Sequence, residues 1–246
     1  MRRDVRILLA TSALGAVATW GPLLPDALSR METFRISDVE VRGLRFLTED
    51  SVVARLQLGP ESSVWTDPSV WVERVVSHPL IRSAEVRRKV PGGLLITVEE
   101  RFPIALAATP TLEPVDAEGY RLPIDPARYR LDLPILSTGR VPPNKSQLFP
   151  EDVRLLVAEI HHLMNSDAAF LQRVSTLREG EPGTLIARLT APQVDFLLRP
   201  GTSGIRLREG QAALADALSK YPGEVPAVID LRFAEQVVVR RSREER

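Results

Sequence analysis

Apolar and polar residues alternate along two short runs in the first half of the chain. Ala84 and Val86 alternate with charged residues, and every second residue from Leu94 to Val98 is apolar. Such alternation is typical of β-strands that bury one face and expose the other. Between the runs, residues 91–93 read Pro-Gly-Gly, and a fixed φ followed by two residues that tolerate positive φ suits a tight reversal. The pattern predicts a β-hairpin.

A third alternating run, residues 34–41, precedes the hairpin and is followed by Gly43. Two short helical patterns lie between this run and the hairpin. Thr48 has the character of a helix N-cap, and Asp67 followed by proline predicts a second helix start. The predicted order is therefore β-α-α-β-β over a small domain at residues 34–102.

A second domain is predicted at residues 103–240, with no flexible linker before it. A strand-like run follows Pro103, and a helix with an apolar face is predicted to start at Pro150. We predict a mixed β-sheet with packed helices, so the fold class is α+β. The further predicted elements are strands at Leu112–Val115, Tyr120–Leu122, Leu133–Leu136, Leu171–Leu177, Thr184–Leu189 and Val194–Leu198, a helix at Glu209–Tyr221, and two final strands within Val228–Arg240.

The N-terminus contains a run without charge at residues 7–25, preceded by three arginines and followed by Asp26. At about 1.5 Å per helical residue this run is just long enough for a hydrocarbon core about 30 Å thick. We expect a transmembrane anchor, with residues 1–6 in the cytoplasm and the chain beyond a connector at 26–33 outside. A cleavable signal peptide, ending at the Ala16–Ala18 A-x-A site, and a buried core helix are the alternatives.

Composition and motifs argue against several kinds of chemistry. The chain has 32 basic and 32 acidic residues, so no overall charge would recruit nucleic acid, and it has no cysteine. HExxH, Walker, GxGxxG and GxSxG motifs are absent, and the adjacent His161 and His162 lie too far apart around a helix to grip one metal ion. Glu99, Glu100 and Asp230 are expected on solvated strand faces. We therefore predict no catalytic residue, no metal site, no cofactor and no small-molecule substrate.

Several motifs carry a resemblance to a known family. They are F-x-I-x-x-V-x-V-x-G at 34–43, HP-x-I-x-x-A-x-V at 78–86 and P-x-x-L-x-I-x-V-x-E-R-x-P at 91–103. In the second domain they are V-D-x-x-G at 115–119, L-P-x-L at 133–136 and V-x-D-L-R-aromatic at 228–233. Together they resemble the FtsQ/DivIB family of bacterial cell-division proteins, in which a POTRA domain precedes a β domain.

The resemblance implies a non-enzymatic scaffold of the divisome, with one membrane span in the plasma membrane and most of the chain outside. Its implied partners are FtsB- and FtsL-like division proteins, recruited when a partner strand adds to the last strand of the β domain. On this basis Val238→Pro should remove an N–H from the final strand and weaken partner pairing without unfolding the first unit. The residues implied at the partner edge are Arg232, Phe233, Gln236, Val237, Val238, Val239 and Arg240.

The chain departs from the family pattern in three places. Val90 stands where many relatives carry tryptophan, the turn at 234–236 has no glycine, and no aromatic residue follows Val239. Residues 241–246 are expected to form a charged tail. Two other functions stay open from the sequence: a POTRA-containing export or outer-membrane assembly factor, and an exported enzyme that modifies the cell wall.

Overall fold

The computed structural model describes residues 28–138 and 146–241. The chain forms two compact units, one up to Glu100 and the other from Arg101 onward. Both mix helices and strands, which confirms the α+β class. The predicted anchor at 7–25 and the tail at 1–6 lie outside the described residues. Within the described ranges, every helix is too short or too polar to cross a membrane.

The first unit has the predicted order of elements. A short 3-10 helix, Glu32–Phe34, precedes them, and the three strands form a sheet in the order β1-β3-β2. Strand β3 lies in the centre, parallel to β1 and antiparallel to β2. The elements are β1 (Asp38–Arg42), α1 (Glu49–Leu56), α2 (Pro68–Val76), β2 (Ile81–Lys89) and β3 (Gly93–Glu100).

The two helices of this unit begin at the predicted caps. The side chain of Thr48 accepts a hydrogen bond from the Ser51 N–H, and that of Asp67 accepts one from the Ser69 N–H. These bonds satisfy N–H groups that have no partner inside a helix. The helices and the sheet bury a common core, formed by Val52, Leu56, Val64, Trp71, Val75, Ile81, Leu94, Ile96 and Val98.

Two expectations for this unit are wrong. The first strand begins at Asp38 and not at Phe34, because the preceding main chain bonds elsewhere: Ile36 N–H donates to Ser62 O at 2.9 Å. Glu100 is buried and does not lie on a solvated face. Its carboxylate accepts hydrogen bonds from the main-chain N–H groups of Phe46 and Leu47, at 2.7 and 3.0 Å. These bonds compensate for the burial of the charge.

The second unit is built on an eight-stranded mixed sheet in the order β11-β10-β9-β8-β7-β6-β4-β5. Its strands are β4 (Pro103–Ala108), β5 (Leu112–Asp116), β6 (Ile135–Ser137), β7 (Val174–Glu179), β8 (Leu185–Leu189), β9 (Asp195–Leu198), β10 (Pro226–Asp230) and β11 (Val238–Arg241), and its helices are α3 (Glu151–Ser166), α4 (Ala168–Leu171) and α5 (Gly204–Lys220).

Helix α3 packs on β4, β6 and β7, and helix α5 packs on β10. Between the helices and the sheet lies one apolar core, in which Phe170 and Phe196 meet edge to face with ring centroids 5.2 Å apart. Gly210 lets α5 approach closely, because a Cβ at this position would lie 2.9 Å from a methyl group of Leu231. This contact fixes α5 beside the last two strands.

Three elements of the second unit differ from the sequence prediction. Strand β7 begins at Val174 and not at Leu171, because Leu171 ends helix α4 and the Arg173 N–H donates to Phe170 O. Helix α5 begins at Gly204, five residues before the predicted start at Glu209, because the Ser203 side chain caps it by accepting a hydrogen bond from the Arg206 N–H. The predicted strand at Tyr120–Leu122 forms only isolated bridges, to β5 and to Leu148. The last strand runs on to Arg241.

Candidate functional site

The two edge strands of the large sheet, β5 and β11, differ in whether a further strand can pair with them. Strand β5 contains Pro114, which has no N–H to donate, and its outer side is covered: Asp116 N–H donates to Tyr120 O, and Leu122 N–H donates to Pro114 O. Strand β11 pairs with β10 on one side, and no strand of the described residues lies on its other side. In the part of the chain that the structure describes, the β11 edge is therefore the open end of this sheet.

The register shows which main-chain groups of β11 face outward. Leu231 N–H donates to Leu197 O at 2.9 Å, so Leu231 directs its main chain toward β9 and Asp230, the residue before it, toward β11. Asp230 is paired with Val238, and the next pair of the same kind is Val228 with Arg240. Since successive residues of a strand point their N–H and C=O groups to opposite sides, Val239 directs its own outward.

This register corrects the expectation for proline at position 238. The N–H of Val238 faces β10, so its loss would disturb the pairing inside the sheet. The N–H of Val239 faces away from the sheet. Proline tests the outer edge at position 239, and edge strands tolerate proline where its missing N–H would have pointed outward.

Asp230 lies at the centre of a charge cluster beside this edge. Its side chain is 0% exposed, which contradicts the expectation of a solvated face. Arg232 donates to its carboxylate from Nε at 2.9 Å and from Nη2 at 2.8 Å, and Arg240 donates from Nη2 at 2.9 Å. These bonds link β10, the turn after it and β11.

The charge cluster also shifts the proton affinity of its members. Burial by itself raises the pKa of the Asp230 carboxyl. The hydrogen bonds from Arg232 and the charges of Arg232 and Arg240 together lower this pKa by more than burial raises it. The pKa of Asp230 therefore lies below its ordinary value, and the same bonds raise the pKa of the Arg232 guanidinium. Asp230 stays ionised at neutral pH and holds both arginines.

The turn between β10 and β11 is held by helix α5. Arg206 donates from Nη2 to the carbonyl oxygens of Phe233 and Gln236, at 2.7 and 2.9 Å. The Phe233 side chain is left exposed on the surface of the turn. Both ends of the turn are thus tied to a helix that is itself fixed in the core.

A groove of about 810 Å³ lies between β11 and α5. Its apolar lining includes Val237 and Val239 from the strand side and Ala213 and Ala217 from the helix. Charged groups at its rim are paired with each other. Lys220 bonds to Asp216 at 2.8 Å, and Arg241 lies 3.4 Å from Glu224 and 3.6 Å above the centre of the Tyr221 ring.

The structure brings only part of the predicted partner edge onto the strand. Val238, Val239 and Arg240 belong to β11, whereas the other four residues lie in the preceding turn or at its exit. Arg232 points inward to Asp230 and also reaches Glu181 at 3.1 Å, so its guanidinium is occupied within the protein. The four residues outside the strand are Arg232, Phe233, Gln236 and Val237.

Sequence reasoning missed two residues of this site. Arg241 continues the alternation of Val237 and Val239 into the groove and could have been found by extending that pattern. Arg206 lies 27 residues before Phe233, the first of the two turn residues that it binds, and no local pattern relates them. Its role depends on the packing of α5 beside β10.

Other polar groups have structural partners. His78 Nδ1 accepts a hydrogen bond from Leu80 N–H, and burial, with a smaller contribution from Arg55, lowers its pKa. His162 Nε2 lies 3.0 Å from Thr202 O. In the two described ranges, no group of three or more histidine, cysteine or acidic side chains is arranged to hold a metal ion. What the β11 edge offers is main-chain hydrogen bonding beside an apolar groove.

Comparison with known proteins identifies the class of the first unit and then the family of the chain. The family model described as POTRA domain, FtsQ-type matches residues 34–101. The cell division protein FtsQ of Rhodothermus marinus is 31% identical over 218 residues, which are 85% of this chain and 79% of that protein. The chain belongs to the FtsQ family of cell division proteins.

Two further similarities concern proteins of the same kind. The cell division protein FtsQ of Geobacter sp. (strain M21) is 24% identical over 231 residues, which are 89% of this chain and 80% of that protein. A solved structure, the major extracytoplasmic domain of the division protein DivIB from Geobacillus stearothermophilus, is 18% identical and covers 50% of this chain and 90% of its own, with a TM-score of 0.29. That score is too low to carry an argument about shape.

Family membership confirms two predictions. The resemblance to the FtsQ family is correct, and the chain is a cell division protein. Because this is a family of non-enzymatic scaffold proteins, the prediction that the chain is not an enzyme is also confirmed.

Proposed function

We propose that this protein is a membrane-anchored scaffold of the bacterial divisome that recruits FtsB- and FtsL-like division proteins during septum formation. The partner contributes an extended strand that pairs with the outer side of β11. In this arrangement main-chain hydrogen bonds provide affinity, and alternate side chains provide selectivity. The partner contacts come from Val238–Arg240, with the turn residues before them at the end of the paired region.

The same proposal includes the layout of the chain. Residues 1–6 form a cytoplasmic tail, 7–25 a single membrane span and 26–33 a connector. Outside the plasma membrane lie the POTRA domain at 34–102, the β domain from 103 to the end of β11 at Arg241, and a charged tail after it. The uncharged run at 7–25, preceded by three arginines, supports this orientation.

One observation carries the proposal: among residues 28–138 and 146–241, β11 is the open edge of a sheet whose other end is covered. An open edge is a ready template for another strand unless the protein blocks it. The groove beside β11 supports the same conclusion, because a strand added there would place alternate side chains next to Val239 and Ala213. The paired rim charges favour an apolar side chain at those positions.

Proline at position 239 tests the proposal. Val239→Pro removes the outward N–H and places the ring where the partner main chain would lie, so we expect the affinity for the extracytoplasmic segments of the FtsB- and FtsL-like proteins of the same organism to fall about tenfold or more. Affinity is measured with the full-length chain in detergent. Unchanged affinity for both segments would reject pairing at this edge.

Val239→Ala is the matched control for the proline variant. It keeps the main-chain N–H and shortens only the side chain, which is partly exposed. We expect it to bind much more strongly than Val239→Pro. The thermal stability of both variants is measured alongside, because an edge position should let the proline variant unfold near the temperature of the unmodified protein.

A further inference from the structure

The turn between β10 and β11 lacks the features that normally fix a tight turn. Its exposed residues, 234–236, read Ala-Glu-Gln and contain no glycine, asparagine or proline. Within the described residues, no main-chain hydrogen bond joins one residue of 232–237 to another. The conformation of this turn must therefore be determined by groups outside it.

Arg206 supplies such a group. Its side chain is 19% exposed, and one guanidinium nitrogen donates to both Phe233 O and Gln236 O. These two carbonyls belong to opposite ends of the turn, so a single planar group spans it. Glu209, one turn further along α5, pairs with another nitrogen of the same guanidinium and holds it in place.

The position of this arginine in its helix is unusual. Arg206 lies in the first turn of α5, where the helix dipole disfavours a positive charge. The bonds to the two carbonyls and to Glu209 compensate for that location. The ion pair with Glu209 lies within α5, but it does not account for the two bonds that leave the helix and reach the turn.

Strand β11 depends on the turn more than a longer strand would. It has four residues and, of the strands that the structure describes, it pairs with β10 alone, so few main-chain bonds hold it. We propose that Arg206 is a positioning residue that fixes β11 in the geometry needed for a partner strand. This inference rests on the proposed function of the β11 edge. A preorganised edge lowers the entropy cost that partner binding must overcome.

Hydrogen exchange of the full-length chain, measured without any partner, tests the positioning role. We expect Arg206→Met to raise the exchange rate of the Val238 and Arg240 amides, which face β10, about tenfold, because two charge-assisted hydrogen bonds that hold the strand are lost. Arg206→Lys keeps the charge without the planar fork, so its exchange rate should lie between those of the unmodified protein and Arg206→Met. Arg208→Met, the same substitution at an exposed position of α5, is the matched control and should leave exchange unchanged.

Exchange in Arg206→Met equal to that of the unmodified protein would overturn the inference. Faster exchange together with about tenfold weaker binding of the FtsB- and FtsL-like segments would support it. If binding is unchanged in both Arg206→Met and Val239→Pro, the proposed function of the edge fails, and with it the link from Arg206 to the partner. If only Val239→Pro weakens binding, the edge is correct and Arg206 does not position it.

Discussion

Replacement of Asp230 by asparagine should destabilise the second unit strongly. The carboxylate is fully buried, and one of its oxygens, Oδ2, accepts hydrogen bonds from Nη2 of Arg232 and Nη2 of Arg240 at 2.8 and 2.9 Å. The other oxygen accepts from the Arg232 main-chain N–H and from its Nε. Asparagine can keep the second set, but its NH₂ group would face the two guanidinium donors in place of Oδ2.

The magnitude follows from the two lost bonds. A hydrogen bond to a charged group contributes about 1.5–3 kcal/mol, and both arginines reach solvent in part and can regain water, so we take the lower value for each bond. The expected loss is about 3 kcal/mol, within the range for breaking a buried ion pair. For a domain of this size that loss lowers the melting temperature by about 6–12 °C.

Thermal unfolding followed by circular dichroism measures this effect, with exchange of residues 226–241 as a local readout. The matched control is Asp216→Asn, which removes an ion pair with Lys220 whose side chains are 60% and 65% exposed. Exposed pairs contribute little, so the control should shift the melting temperature by about 2 °C or less. If Asp230→Asn melts within the same margin as the control, the charge cluster does not stabilise the edge.

The effect of Asp230 should also depend on pH. The pKa of Asp230 in the folded protein lies below its unfolded value of about 3.9, so the carboxylate stabilises the fold fully above that value. The contribution is lost as pH falls through the folded pKa. The stability difference between the unmodified protein and Asp230→Asn should therefore be constant near neutral pH and shrink below about pH 4. A difference that grows on acidification would contradict the assignment.

Three further predictions concern other sites. Gly43→Ala should destabilise the first unit by about 2 kcal/mol or more in urea unfolding, because Gly43 has a φ of +88° and a Cβ would lie 2.0 Å from Val98 O. The control is Gly59→Ala, whose Cβ would meet no atom within 4 Å, and it should be nearly neutral in the same assay. Glu100→Gln should cost about 2 kcal/mol in the same assay, since an amide cannot accept both main-chain N–H bonds. Burial raises the pKa of Glu159, so the charged form of this side chain weakens the fold. Glu159→Gln should therefore become more stable than the unmodified protein as pH rises above about 4.5, and it should show no such gain below about pH 4.

Much of the fold could be predicted because its signals are local. Alternation with a period of two identified the strands around Pro91, and the caps at Thr48 and Asp67 identified the two helices of the first unit. The start of α5 was missed for an equally local reason. Ser203 is its cap, but Gly201 and Gly204 around it indicated a loop.

The edge was predictable, and the geometry that holds it was not. The family motif at 228–233 indicated where the last strands lie. The burial of Asp230 depends on α5 and β9 packing around β10, and the bonds of Arg206 depend on the same packing. Which residues of β11 direct their N–H groups outward depends on the pairing register, and a shift of one residue exchanges the two sets.

Cysteine cross-linking tests the central claim most directly. The chain has no cysteine of its own, so Val239→Cys introduces a single thiol at the outer edge. Single cysteines are then placed one at a time along the extracytoplasmic segment of the FtsB-like partner, and disulfide formation is measured in dividing cells. A strand paired with β11 predicts a disulfide at one opposed position and none at the residues directly before and after it, whose side chains lie on the other face, because directly opposed Cβ atoms lie about 4.5–5.5 Å apart. Cross-links spaced by three or four residues, or none along the whole segment, would contradict strand addition at β11.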